Sequence, residues 1–312
     1  MSTLLDEVAR AARRLAAAGV DSPRGDAELI AAHVHGVSRG MLHTVPDADF
    51  DARFWADVAR REAREPLQHI TGRAQFRYVE LEVGPGVFVP RPETEVMTGW
   101  AIDQLRAMDV IDPLVVDLGT GSAAIALAIA QEVPRTRVHA VEADRLAHAW
   151  AQRNIERSIA HAVGRHPVAP QVTLHLADLA SALAELDGTV DLVISNPPYI
   201  PDDAHVPPEV GEYDPPAALW GGADGLDTVR RLAGAAARLL RPGGLVAVEH
   251  GAPQGAAVYW LFHESSGWRD TRNHKDLAGR DRFVTARRAG IADRDPDGRD
   301  EAGNDAWHDW PL

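Results

Sequence analysis

The sequence predicts an α/β fold: a mainly parallel, seven-stranded sheet wrapped by helices, with an antiparallel edge and a small helical region ahead of it. Three observations carry this. From residue 91 onward, short runs rich in Val, Ile and Leu alternate with stretches at helical spacing. The last two such runs have no long helix between them, which suits an antiparallel pair. Residues 1–65 show helical periodicity only.

In chain order, Leu4, Leu5, Val8, Ala12 and Leu15 keep helical spacing until Gly19 stops them. Leu29, Ile30, Val34 and Val37 give a second helix, and Phe54, Trp55 and Val58 a third that Pro66 ends. His33 and His35 are two apart on a helix and do not face one another, so they make a poor metal pair. In residues 74–90, Phe76, Tyr78, Leu81 and Val83 approximate strand alternation, and Gly84-Pro85-Gly86 offers a turn; we expect a β-hairpin there. Strands follow at 113–118, 137–142, 171–176, 190–195 and 244–249, then near 268–274 and 282–287. Helices are expected at 95–107, 122–132, 144–160, 226–240 and 253–265. The chain thus divides into a helical bundle (1–73), a hairpin linker (74–90), an alternating α/β domain (91–288) and an acidic tail (289–312). That tail has the composition of a disordered segment, and Trp307 and Trp310 in it could serve docking.

Composition excludes several classes. No apolar run reaches membrane-spanning length, and Asp6 and Glu7 near the start argue against a targeting peptide. There is no cysteine, so disulfide and thiolate chemistry are out and a cytoplasmic location is expected. The net charge of −14 withholds the basic surface that phosphate backbones require, so nucleic acid is not expected as a partner.

Two stretches carry chemistry. Asp117-Leu-Gly119-Thr120-Gly121-Ser122-Ala123 stands between the first core strand and a helix, where glycines let a ligand approach the backbone and helical N–H groups are free. Glu142 closes the next strand and can accept from both hydroxyls of a ribose. This pattern serves a dinucleotide or S-adenosylmethionine equally well. Two features favour the second: Asp117 suits a cationic amino acid better than a pyrophosphate, and Ser195-Asn196-Pro197-Pro198-Tyr199 ends the fourth core strand beside the expected crevice. Alone, Asn-Pro-Pro would read as a rigid turn, since proline fixes φ and donates nothing.

Together these motifs resemble class I S-adenosylmethionine-dependent methyltransferases, Rossmann-like enzymes that modify planar nitrogen. "PLQHITGRAQF" (66–76), "VPRPETE" (89–95), "DLGTGSAAIALA" (117–128), "ISNPPYIP" (194–201), "ALWGGADGLD" (218–227) and "KDLAGRDRFV" (275–284) narrow the resemblance to the HemK/PrmC family. Those are protein-(glutamine-N5) methyltransferases acting on peptide chain release factors. The chain departs from the family pattern at Ala123, where glycine is usual, at Glu142 for Asp, at Asp214 for Glu, and at His250 within "EHG". Ala123 matters most, because its methyl group could crowd the methionine end of the cofactor.

The resemblance implies a site. Asn196 and the Pro197 carbonyl would accept both hydrogens of the substrate amide, with Pro198 stiffening the segment and Tyr199 packing on the amide plane. Asp117, Gly119, Thr120, Gly121, Ser122, Ala123, Glu142 and Asn196 would hold the cofactor, and Asp178 and Leu179 its adenine. Arg91, Glu93 and Thr94 would border that site, although a plain helix start explains them as well. The implied substrate is the glutamine of the Gly-Gly-Gln loop of class I release factors, gripped elsewhere by the bundle. Three other readings stay open: a nucleic-acid amino-group methyltransferase such as an N6-adenine enzyme, a nicotinamide oxidoreductase, and a silent cofactor-binding docking protein.

Overall fold

The computed structural model describes residues 3–45, 52–162 and 171–290. Three helices open the chain: α1 (Leu4–Ala17), α2 (Pro23–His35) and α3 (Ala52–Glu62). Thr3 starts α1 by accepting from the Asp6 N–H, while the Asp6 carboxylate accepts from the Thr3 N–H. Gly36 ends α2 in the left-handed conformation. Leu4, Val8, Leu15, Ile30, Phe54 and Val58 pack into a core of their own. The short α4 (Leu67–Thr71) leads on to the hairpin.

That hairpin, β1 (Arg73–Phe76) and β2 (Val79–Glu82), does not turn at Gly84-Pro85-Gly86. It reverses at Arg77 and Tyr78, with Phe76 paired to Val79. Arg77 takes a positive φ of 51° there. Distant partners hold it: its N–H donates to Glu95 at 3.0 Å and its Nε to Glu132 at 2.5 Å. Gly84 instead lies under the Trp150 indole, where a Cβ would not fit.

After α5 (Thr94–Ala107) come β3 (Leu114–Leu118), α6 (Ala124–Glu132), β4 (Arg137–Glu142), α7 (Arg145–Ala162) and β5 (Gln171–Leu176). The chain then crosses back to β6 (Val190–Ser195), the one-turn α8 (Pro208–Gly211), α9 (Asp227–Leu239) and β7 (Leu240–Glu249). It ends in α10 (Gly255–His263), β8 (Trp268–Lys275) and β9 (Asp281–Arg288). The sheet order is β5-β4-β3-β6-β7-β9-β8; the first five strands are parallel, and β9 runs antiparallel to both neighbours. Alternate residues feed two cores. Val115, Leu192, Ile194 and Ala247 face α5, α6 and the hairpin, while Val116, Leu118, Val193 and Val246 face α9 and α10. Because β4 and β6 lie on opposite sides of β3, a crevice opens at the carboxyl ends of these strands.

The carboxylate of Glu209 is the centre of the contact between the helical region and the sheet domain. Glu209 of α8 accepts from Arg64 at 2.5 and 2.6 Å and from Arg61 at 3.1 and 3.0 Å. Arg61 also donates to Asp26 at 2.8 Å, and Tyr213 donates its hydroxyl to the Ala63 carbonyl at 2.9 Å. Among the described residues no helix is long and apolar enough to cross a membrane. The acidic stretch holding Trp307 and Trp310 lies outside the described residues.

Candidate active site

A cavity of about 240 Å³ fills the crevice. Gly119, Thr120, Gly121, Ser122 and Glu142 form one wall; Asn196, Pro197, Pro198 and Tyr199 form another, and Arg91 and Thr94 a third. The two sequence motifs therefore meet. Ser195 fastens them together, its hydroxyl donating to the Leu118 carbonyl at 2.6 Å from the end of the adjacent strand.

The glycine loop is a cradle. Gly119 and Gly121 adopt φ of +74° and +57°, and nothing lies within 4 Å of the Cβ that either lacks. The Gly119 and Thr120 N–H groups both donate to the Val141 carbonyl, which anchors the loop to β4. Glu142 stands beside it, Oε2 accepting from the Gly121 N–H and Oε1 from the Asp144 N–H, each at 2.8 Å. Burial raises its pKa. Asn154, unmarked by any sequence signal, stitches the loop to the hairpin by donating to the Ser122 and Glu82 carbonyls at 3.0 Å.

Four residues expected at the cofactor do not line this cavity. Asp117 is fully buried behind the loop, not on the cavity wall. Its Oδ2 accepts from the Thr120 hydroxyl at 2.6 Å, and burial pushes its pKa up to about 7. Ala123 also lies off the wall. It heads α6 with φ of 66° and its side chain is buried in the apolar core, so its methyl group does not crowd the cavity. The left-handed conformation costs about 1 kcal/mol for a residue with a Cβ. Asp178 and Leu179 fall outside the wall too: Asp178 pairs with Arg231 at 2.6 Å, which lowers its pKa, and Leu179 packs on the second core.

At the other wall, Asn196 donates its amide N–H to the Thr94 hydroxyl at 3.2 Å. With Nδ2 committed to Thr94, Oδ1 is the end of that cavity-lining amide left free to accept. Tyr199 donates its hydroxyl to Glu249 at 3.4 Å, so its ring, not its hydroxyl, is what a ligand would meet. The "GGADGLD" stretch holds the segment from behind. Gly221 packs on the Pro198 carbonyl and Gly225 on the Tyr199 carbonyl, each closer than a Cβ allows. Gln254 donates to the Tyr199 carbonyl at 2.8 Å. Arg91 reaches the buried Asp214 at 2.5 Å, and burial raises that carboxyl's pKa to about 6 despite the pairing.

The donor and acceptor set fits S-adenosylmethionine: an open glycine cradle, a carboxylate at the end of β4, and an amide-and-proline wall facing both. Comparison with known proteins agrees. Residues 7–72 match the family described as PrmC N-terminal domain, and residues 85–210 the one described as Methyltransferase small domain. The chain is 61% identical over 291 residues to a release factor glutamine methyltransferase of Streptomyces coelicolor, covering 93% of this chain and 99% of that one. It is 46% identical over 290 residues to the enzyme of that name in Mycolicibacterium smegmatis, covering 92% and 99%. A crystal structure of a release factor-specific protein-(glutamine-N5) methyltransferase from Alicyclobacillus acidocaldarius aligns at 31% identity with a TM-score of 0.38, over 67% of this chain and 99% of that one. With the cavity and the cradle in view, the matched N-terminal family and the two relatives at 61% and 46% identity show that the chain belongs to the HemK/PrmC family of S-adenosylmethionine-dependent methyltransferases.

Proposed function

We propose that the protein methylates the side-chain nitrogen N5 of the glutamine in the Gly-Gly-Gln loop of class I release factors, in the cytoplasm where translation ends. One observation carries the residue assignment: Asn196 lines the cavity beside a rigid Pro-Pro backbone and commits its Nδ2 to Thr94, which leaves Oδ1 available as an acceptor.

A carboxamide nitrogen is a weak nucleophile because its lone pair is delocalised into the carbonyl. Asn196 Oδ1 and the Pro197 carbonyl accept the two N–H bonds of the substrate amide and favour pyramidalisation of the nitrogen. Tyr199 packs its ring on the amide plane. Gly119, Gly121 and Glu142 hold the cofactor, which supplies an electrophilic methyl group on a sulfonium. Catalysis by these residues is positioning plus electrostatics. No strong base is required, since the nitrogen sheds its extra proton after transfer. The bundle, through residues 3–45 and 52–72, offers a second surface for the rest of the factor. The net charge of −14 argues against a nucleic-acid substrate for the same site.

The test is incubation with methyl-labelled S-adenosylmethionine and a recombinant class I release factor, with the label mapped by peptide mass spectrometry. Label on the Gly-Gly-Gln glutamine is expected. It should vanish with a Gln-to-Ala factor, and Asn196→Ala should slow transfer about 10²- to 10³-fold. Label on bare DNA, or none on the factor, overturns the assignment.

A further inference from the structure

Glu249 closes β7 at the floor of the site, 1% exposed, in the register next to the end of β6. A fully buried carboxylate is costly unless its surroundings use it. Here two hydroxyls address it. Tyr199 donates to Oε1 at 3.4 Å, and the buried Thr94 hydroxyl lies beside the same carboxylate, whereas Oε2 completes no hydrogen bond of good geometry. Arg282 on β9 faces the group as a cation, and Glu93 ahead of α5 opposes it as an anion.

The polarity of this arrangement matters. The two ends of an Asn side chain are nearly isosteric, and only one orientation offers oxygen to a substrate N–H. Thr94 can either donate to Asn196 or accept from it. An ionised Glu249 accepts only, so it draws the Thr94 proton and leaves Thr94 Oγ as the acceptor for Asn196 Nδ2. One end of the Asn-Pro-Pro-Tyr segment, Tyr199, thus reaches that carboxylate directly, and the other, Asn196, reaches its neighbour Thr94. The Thr98 hydroxyl, donating to the Thr94 carbonyl at 2.9 Å, steadies the first turn of α5 beneath it.

We propose that Thr94 and Glu249 are positioning residues for methyl transfer, the carboxylate setting through Thr94 which end of the Asn196 amide faces the cavity and fixing the Tyr199 ring from below. The proposal rests on the amide-methylation reading above. Thr94 lines the cavity, but in this role it acts through Asn196, and Glu249 acts through Thr94 and Tyr199. Burial lifts the Glu249 carboxyl to about 7, against the Thr94, Arg282 and Tyr199 contacts that hold it down, so the relay should weaken in mild acid.

The experiment uses the full chain carrying ¹⁵N-labelled asparagine, with the Asn196 side-chain signal assigned by its loss in Asn196→Ala. Rates with a release factor, cofactor affinity by calorimetry and melting temperature are recorded alongside. In Thr94→Val, which keeps the side-chain shape, the Asn196 NH₂ signal should move and lose exchange protection. Transfer should slow about 50- to 100-fold, with cofactor affinity held within about twofold. Thr94→Ser should recover most of the rate. In the parent chain the same signal and kcat should both titrate near neutral pH, and Glu249→Gln should abolish that titration. An Asn196 signal indifferent to Thr94→Val overturns the proposal whatever the substrate proves to be. Equal impairment of Thr94→Val and Thr94→Ser does so too, because it assigns the loss to packing. A parent chain that leaves the factor unmethylated but shows the NMR response condemns the substrate reading alone.

Discussion

Gly121 donates its backbone N–H to Glu142 Oε2 at 2.8 Å, joining the tip of the glycine loop to the carboxyl end of the neighbouring strand. The other carboxylate oxygen is tied to the Asp144 N–H, so Glu142 is aimed before any ligand arrives. A carboxylate so placed binds ribose hydroxyls at little ordering cost. Glu142→Ala should weaken cofactor binding about 10- to 100-fold, as loss of hydrogen bonds to a charged group implies. kcat at saturating cofactor should change little; calorimetry and saturation kinetics on the one variant separate the two effects.

The loop also sets two substitutions against each other. Gly121→Ala puts a methyl group into the open cradle at a φ of +57° and should abolish measurable cofactor binding. Ala123→Gly removes a methyl group from the core side of the same loop and relieves a left-handed residue. Strain relief and lost burial oppose each other at about 1 kcal/mol each, so stability should shift by less than that and affinity by less than about twofold. A large gain in affinity in Ala123→Gly would show that the methyl group reaches the cavity after all.

Stability should depend on pH through Asp117. Its native pKa, about 7, stands above the 3.8 of an ordinary aspartate, so the folded chain binds the proton more tightly than the unfolded one. The sign follows: the stabilising contribution is complete below about pH 4 and is lost as pH rises through 7. Asp214 and Glu249, raised to about 6 and 7, act in the same sense; His274, held down to about 4 by burial, acts in the opposite one, losing stability as pH falls below 6.5. Asp117→Asn removes one such group. Its melting temperature relative to the parent should rise between pH 5 and pH 8, by the equivalent of roughly 3 kcal/mol. A difference constant with pH would mean that Asp117 stays charged throughout.

The parallel strands were legible because strands buried on both faces read as short apolar runs, and β4, β5 and β6 have the limits that their residues suggest. The glycine loop and the Asn-Pro-Pro-Tyr segment were legible for a different reason: few residue types tolerate those backbones. What local reading missed depends on distant partners. Gly84-Pro85-Gly86 reads as the hairpin turn, yet Arg77 makes it, held in an unfavourable φ by Glu95 and Glu132. Asp178 pairs with Arg231, 53 residues later, a partner that local sequence does not announce. Glu249 stood in view as the acid of "EHG", and only the adjacency of β6 and β7 gives it a purpose.

The grip of Arg61 and Arg64 on Glu209 makes the helical region and the rim of the cavity a single unit of inheritance. α8 belongs by sequence to the sheet domain, and Val210 beside Glu209 lines the cavity. A chimera that took residues 3–72 from a relative lacking these arginines would leave the rim without its brace, although neither half had lost a catalytic group. A change at Glu209 or at either arginine is therefore felt on both sides of the contact.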